Sequence, residues 1–275
     1  MKTYYITYPH GKYKAITLSY DDGKVQDRRL IDILNRYGLK GTFHLNGGLF
    51  PTEDEVETPD SRIKKSEVAS LYQGHEVACH TYTHPTIARC PIDKVADEVI
   101  MDRQVLEELV DYPVCGFSYP NGSYNQAIQQ LLPLLGIEYA RPVGSTKNFS
   151  IPENWYEWQP TCHHNNGLIA LAEEFTQLHK SQYLYLMYVW GHSYEFDHDE
   201  NWELMEEFAA HVSKDESIWF VTNIEYKRYM EASKRLVFTN KGDKVYNPNA
   251  QTVWIRINQY VFAVKPGMND LSKNQ

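Results

Sequence analysis

Apolar residues along this chain fall into short runs rich in β-branched and aromatic side chains. Between them lie longer stretches in which apolar positions recur at helical spacing. The runs predict strands over 15–19, 41–45, 76–79, 114–119, 137–141, 183–190 and 218–222. The periodic stretches predict helices over 26–37, 66–73, 92–110, 125–135, 168–181, 201–213 and 224–233. In the third of these, Ile92, Val95, Val99, Leu106 and Val110 form one stripe behind Pro91, a residue suited to a first helical turn. Strands that alternate with helices imply a parallel sheet with helical crossovers, and about seven such units predict an α/β fold, a distorted (β/α) barrel that is irregular or incompletely closed. The alternation breaks near residue 236. Short strands over 245–246, 252–257 and 261–264, with Asn247-Pro248-Asn249 as a turn, predict a small β appendage. The expected division is therefore a barrel over 1–235 and a C-terminal β extension over 236–275, packed on the barrel. Residues 47–65, with Gly47-Gly48, Pro51 and Pro59, predict a loop insertion.

The polar residues of interest gather after the predicted strands. Asp21-Asp22-Gly23 follows the first, His80 and His84 the third, and Pro120-Asn121-Gly122 the fourth; Arg141 ends the fifth and Gly191-His192 follows the sixth. C-terminal strand ends form the face on which barrel enzymes build their sites. Adjacent carboxylates on a turn point in different directions and can do different jobs, although the same residues also serve as turn formers and helix caps. Two histidines four positions apart bring both imidazoles to one side of a tight loop, and Pro85 rules out a continuing helix. One carboxylate and two histidines suffice to hold a zinc-type ion with coordination positions open, leaving the second carboxylate as a base. A non-haem iron oxygenase uses the same donor set, but the extra carboxylate and the alternating pattern fit a hydrolase better. His163-His164 reads either as a pair that reaches the site or, by preference, as a surface pair. Ser193, in Gly191-His192-Ser193-Tyr194-Glu195, lacks the G-x-S-x-G context of a serine nucleophile. Tyr119, Trp158, Trp190 and Tyr194 have rings able to stack on a sugar, or to pack in a core.

Composition narrows the classes. The 275 residues suit one barrel, and 42% apolar content supplies a core. The net charge of −9, from 27 basic and 36 acidic residues, argues against nucleic acid and anionic membrane surfaces as partners. Four cysteines without a C-x-x-C pair make no disulfide scaffold; Cys79 and Cys115 lie in apolar stretches and read as buried thiols. There is no run of about 18 apolar residues, and the first twenty positions lack the apolar stretch of a leader peptide. The cytoplasm is the expected location, and a leader removed from the chain would make the protein secreted.

These motifs resemble a known family. Ser19-Tyr20-Asp21-Asp22-Gly23 is similar to the Thr-Phe-Asp-Asp-Gly of polysaccharide deacetylases (carbohydrate esterase family 4, with chitin and peptidoglycan deacetylases among its members). His80-Thr81-Tyr82-Thr83-His84 resembles the family's His-Ser/Thr-x-x-His. Phe117-Ser118-Tyr119-Pro120-Asn121-Gly122 and His192 stand at its later motif positions. The resemblance extends over about residues 12–225. It implies a distorted barrel, Asp22, His80 and His84 as metal ligands, Asp21 as general base and His192 as general acid. The implied ion is zinc, with cobalt, nickel or manganese allowed by the same ligands. The implied reaction removes an N-acetyl or related acyl group from a carbohydrate, with Tyr119, Pro120, Asn121, Arg141, Trp158 and Trp190 as expected substrate contacts. Two alternatives remain: an amidohydrolase for a small non-sugar amide, and a catalytically weakened carbohydrate-binding protein. The family's third motif carries an arginine that steadies the catalytic aspartate; Ser118 stands there in this chain, and Arg141 is the nearby candidate to replace it. Glu157-Trp158 is a loose equivalent of the fourth motif, and Val189-Trp190-Gly191-His192 of the fifth.

Overall fold

A computed structural model describes residues 2–272 of the chain. Its strands are β1 (Tyr4–Thr7), β2 (Lys14–Asp21), β3 (Gly41–Leu45), β4 (Glu76–Cys79), β5 (Gly116–Ser118), β6 (Tyr139–Arg141), β7 (Cys162–His163), β8 (Tyr185–His192), β9 (Ile218–Phe220), β10 (Val237–Phe238), β11 (Lys244–Asn247), β12 (Val253–Ile257), β13 (Tyr260–Val264) and β14 (Gly267–Asp270). The α-helices are α1 (Asp27–Arg36), α2 (Val68–Leu71), α3 (Ile92–Val110), α4 (Gln126–Leu131), α5 (Leu168–Thr176), α6 (Glu195–His198), α7 (Trp202–Val212) and α8 (Asn223–Lys234).

Seven strands form one curled parallel sheet in the order β6-β5-β4-β3-β2-β8-β7. The fold is the α/β, distorted barrel that the alternation predicts. β2 lies at its centre and is buried along its whole length, as expected of a parallel strand with both faces covered. One edge of β2 is shared: β9 pairs with Lys14–Ile16, and β3 takes over at Leu18–Asp21. The edge strands β6 and β7 do not pair. The segment between them closes part of the gap, with the Trp158 amide donating to Ala140 O at 3.0 Å and the Thr161 amide to Tyr188 O at 2.7 Å. Helices cover the outside with the stripes read from the sequence; α3 buries Val95, Val99 and Leu106, together with Asp102. Opposite the polar rim, Glu76 is buried and accepts from Tyr139 Oη, Thr42 Oγ1 and the Ile224 amide at 2.8–2.9 Å, tying β4 to β6, β3 and α8.

Three elements depart from the sequence expectation. β1 pairs antiparallel with β12, which pairs with β13. The first strand therefore lies in the sheet of the C-terminal extension rather than with the barrel strands it precedes. β7 is only two residues long and carries too little pattern to be seen in the sequence. α5 ends at Thr176, short of the predicted 181. The four cysteines are free, three of them buried. Among the described residues no helix is long and apolar enough to cross a membrane.

Candidate active site

The parallel register aligns chemically active side chains along one rim. Asp21 ends β2, Ser118 ends β5, Arg141 ends β6 and His192 ends β8, while His80 follows β4 directly. Asp21 stands opposite His192 on one side and His44 on the other, and Ser118 stands opposite Arg141. Parallel pairing thus brings together groups that are far apart in the chain.

The two aspartates separate at the turn. Asp21 is still on the strand and buried. Asp22 has φ 79° and Gly23 φ 59°, so the chain reverses through the left-handed region directly after Asp21. Asp22 consequently turns away from its neighbour. Its Oδ1 accepts from Arg62 Nη2 at 3.1 Å and lies 3.9 Å from His84 Nε2. The His80–His84 loop is built the same way: Thr81 and His84 have φ 65° and 60°, and the His84 amide donates to Thr81 Oγ1 at 3.1 Å. This tight loop, not a helix, brings the two imidazoles to 4.8 Å between centroids.

One donor atom each from Asp22, His80 and His84 lies within 4.8 Å of the others. The surroundings suit an ion. His80 Nδ1 donates to Ser118 O at 3.0 Å, which fixes the tautomer and leaves Nε2 with its lone pair, the arrangement common to metal-bound histidines. Burial holds the His80 pKa down to about 4, against the opposing pull of Asp21 and Asp22, so the imidazole is neutral as a ligand must be. From behind, the buried Asp102 carboxylate accepts from the His80 amide at 2.9 Å and the Gly47 amide at 2.5 Å.

Asp21 is set up differently. Arg141 Nη2 donates to its Oδ2, and Ser118 Oγ donates to its Oδ1 at 3.1 Å. Arg141 is itself buried, bonded to Ser19 Oγ at 3.0 Å and stacked on the Trp190 ring at 4.7 Å. Burial pushes the Asp21 carboxyl up, but Arg141, then His80, His44 and His192, outweigh it and hold the carboxyl well below its usual range. His192 is held by Glu195, whose Oε1 accepts from Nδ1 at 3.1 Å and whose Oε2 accepts from the His192 amide at 3.0 Å. Burial alone would lower the His192 pKa; Glu195 first, then Asp21, reverse this and raise it. A cavity of about 410 Å³ opens beside Asp22 and His84, walled by Lys24, Arg62, Tyr194 and His198 among others.

Not every expected contact is here. Trp158 is buried away from this rim, packed on Tyr188 at 4.8 Å, Trp155 at 5.1 Å and Tyr139 at 5.5 Å. Its partner Glu157 bonds to Tyr124 Oη at 3.0 Å, so the Glu157-Trp158 pair takes no part in the site. Tyr119 is buried too, stacked on Tyr124 with its hydroxyl donating to Tyr156 O at 2.8 Å. Pro120 is buried, and Asn121 is exposed and donates to Thr86 Oγ1 at 3.3 Å. Arg141 bonds to Asp21 and stacks on Trp190, so both lie beside the carboxylate. His163-His164 is no surface pair: His164 is fully buried. Sequence reading missed Glu195, Arg62, His44 and Asp102. Glu195 alone left a signal, three positions after His192; the others stand on a loop, a buried strand and a helix face with no local pattern to mark them.

An open α/β barrel with an ionised carboxylate, a carboxylate-held histidine and a metal-type donor set along one rim defines a site-bearing barrel of the kind enzymes use. Residues 5–140 match the family model described as polysaccharide deacetylase. The chain belongs to the polysaccharide deacetylase family. It is 27% identical over 106 residues to a peptidoglycan-N-acetylglucosamine deacetylase of Bacillus cereus, a stretch covering 38% of this chain and 34% of that protein. The chain thus matches only about a third of that relative's length. In fold it is similar to a crystal structure described as a polysaccharide deacetylase of Mycobacterium smegmatis, with TM-score 0.61, 16% identity, and coverage of 83% of this chain and 94% of that one. It is also similar to a family 4 acetyl xylan esterase of Clostridium thermocellum solved with a cobalt ion, with TM-score 0.53, 15% identity, and coverage of 77% and 89%.

Proposed function

We propose that the protein is a metal-dependent hydrolase that removes N-acetyl or related acyl groups from a carbohydrate. One observation carries the reading: Asp21 and Asp22, adjacent in sequence, are held apart, one locked to the buried Arg141 and Ser118, the other, beside Arg62, grouped with His80 and His84 as a donor set. Asp22, His80 and His84 would hold a divalent ion, zinc by preference for this donor set, with cobalt, nickel or manganese as alternatives. Such an ion supplies Lewis acidity, polarising an acyl carbonyl and bringing the pKa of water at the site to about 7.

The chain's own residues do the rest. Asp21 is ionised throughout the working pH range and oriented by Arg141 and Ser118, so it is placed to take a proton from attacking water as general base. His192, with Nδ1 engaged by Glu195, keeps Nε2 to donate a proton to the leaving amine, which departs poorly as an anion. Arg141 also supports the catalytic reading over that of a weakened binding protein, because the aspartate has its cationic partner although Ser118 occupies the usual place. Tyr194, on the cavity wall, is a better candidate than Trp158 or Tyr119 for stacking on a sugar.

The test is Asp21→Asn, assayed for acetate release from acetylated chitooligosaccharides and from small acetamides. Turnover should fall by about 100- to 10,000-fold, with bound metal per chain unchanged. Undiminished turnover in the variant would remove Asp21 as base. Release from small amides alone would favour the non-sugar amidohydrolase.

A further inference from the structure

A second cluster of donors stands on the same rim: Glu195 also holds His192, while His163 and His164 have no role in the reaction proposed above. His163 ends β7, His164 follows it, and Glu195 opens α6. One donor atom from each lies within 4.8 Å of the others. His163 Nε2 is 3.0 Å and His164 Nε2 3.3 Å from the same carboxylate oxygen, Glu195 Oε2.

His164 is the informative member. Its side chain is 0% exposed, and neither ring nitrogen has a hydrogen-bond partner among the described residues. Its Nε2 approaches Glu195 without the alignment of a hydrogen bond. A neutral imidazole presents one N–H and one lone pair, and leaving both unmatched in the interior is costly. The fold nevertheless holds this ring in place. It stacks on Phe196 at 4.2 Å and lies parallel to Tyr20 at 5.8 Å. The position of Gly191 is equally telling: a Cβ there would come within 2.1 Å of His164 Nδ1, so only glycine admits the ring. His163 is held in turn against the Trp190 edge at 4.7 Å. A buried, unpartnered imidazole aimed at a carboxylate that also meets a second imidazole is the arrangement of a metal centre.

We infer that His163, His164 and Glu195 form a second divalent cation site, distinct from Asp22, His80 and His84. Two imidazoles and one carboxylate select a transition ion such as zinc or cobalt over magnesium or calcium, which prefer oxygen ligands. His163 and Glu195 are 20% and 23% exposed and give the ion access from solvent, with coordination positions left for water. Binding has a local cost. The Asn165 amide lies 3.2 Å from His163 Nδ1, and that nitrogen must carry the proton when Nε2 binds a cation, so this exposed contact breaks. The relief of His164 Nε2 opposes that cost.

The experiment counts ions. The chain, stripped with a chelator, is titrated with cobalt(II) alone and followed by visible absorption and by metal analysis after dialysis. Wild type should take two equivalents. His163→Gln should lose one, its affinity there falling at least about tenfold, and Glu195→Gln should lose the same one. The double variant Asp22→Asn/His84→Gln should keep it. If wild type takes a single equivalent that His163→Gln loses and the double variant keeps, the second site stands and the proposed catalytic centre fails. The inference is overturned if His163→Gln and Glu195→Gln, folded by circular dichroism, bind as many ions as wild type. It is equally overturned if the double variant binds none.

Discussion

At the scale of residues, Asp21 and Arg141 carry the most consequence. They are 120 positions apart and both buried. Removing the guanidinium leaves a carboxylate uncompensated in the interior, which costs about 3–5 kcal/mol. Arg141→Gln is therefore expected to be destabilised by that order in urea denaturation at neutral pH. The pH dependence has a definite sign. A carboxyl whose folded pKa is depressed adds stability above its unfolded value and loses it as pH falls through the folded one. The gap between wild type and variant should accordingly be full at pH 7 and shrink below about pH 4. In the same variant the Asp21 pKa rises, so the acid limb of kcat/KM should move to higher pH. An unmoved limb would show that Arg141 does not set the ionisation of Asp21. His192 follows the opposite logic: Glu195→Gln removes the main group raising its pKa, so the basic limb should move to lower pH.

At the scale of elements, strand ends and their pairing decide what meets what. Glu76, on β4, is the clearest case away from the rim. Burial pushes its carboxyl up to about 7, against the bonds from the Ile224 amide, Tyr139 and Thr42. A carboxyl with a raised folded pKa binds its proton more tightly in the native state, so stability falls as pH rises from about 4.3 to 7. Glu76→Gln can keep the same bonds: its oxygen accepts from Thr42 and Ile224, and its amide donates to Tyr139. The variant should match or exceed wild type at pH 8, by up to about 3 kcal/mol, and lose the decline between pH 5 and 8. A variant with the same decline would place the titrating group elsewhere. The elements themselves were largely legible. β3 and β4 have the bounds the pattern predicts, and α3 spans the predicted Ile92–Val110, with Val95, Val99 and Leu106 of the stripe buried and Ile92 exposed. β7 was not legible, because two residues carry no periodicity, and neither was α6, a single turn directly after a strand.

At the scale of the whole molecule, the first strand is held by the last part of the chain. β1 pairs with β12, and Tyr229 Oη on α8 donates to Thr7 O at 2.6 Å and accepts from the Trp254 amide at 2.9 Å. Ile255, fully buried, packs with Ile257, Phe262 and Val264 in the extension's own core. Ile255→Ala should cost about 2–5 kcal/mol. Because β1 leads directly into the central β2, that loss should appear in one cooperative transition by calorimetry and by tryptophan fluorescence. Two resolved transitions would mean that the extension unfolds independently. The sequence alone determined the alternation of strands and helices, the rim position of Asp21, Asp22, His80, His84 and His192, and the family likeness, since all of these rest on spacing over a few residues. Only the tertiary structure decided that Arg141 on β6 reaches across the rim to Asp21 on β2, that Glu195 joins three histidines, that Trp158 and Tyr119 are core, and that β1 belongs beside β12. Those contacts depend on strand order and register across the sheet, and on which face each ring buries. No local pattern encodes a pairing between residues 120 or more positions apart.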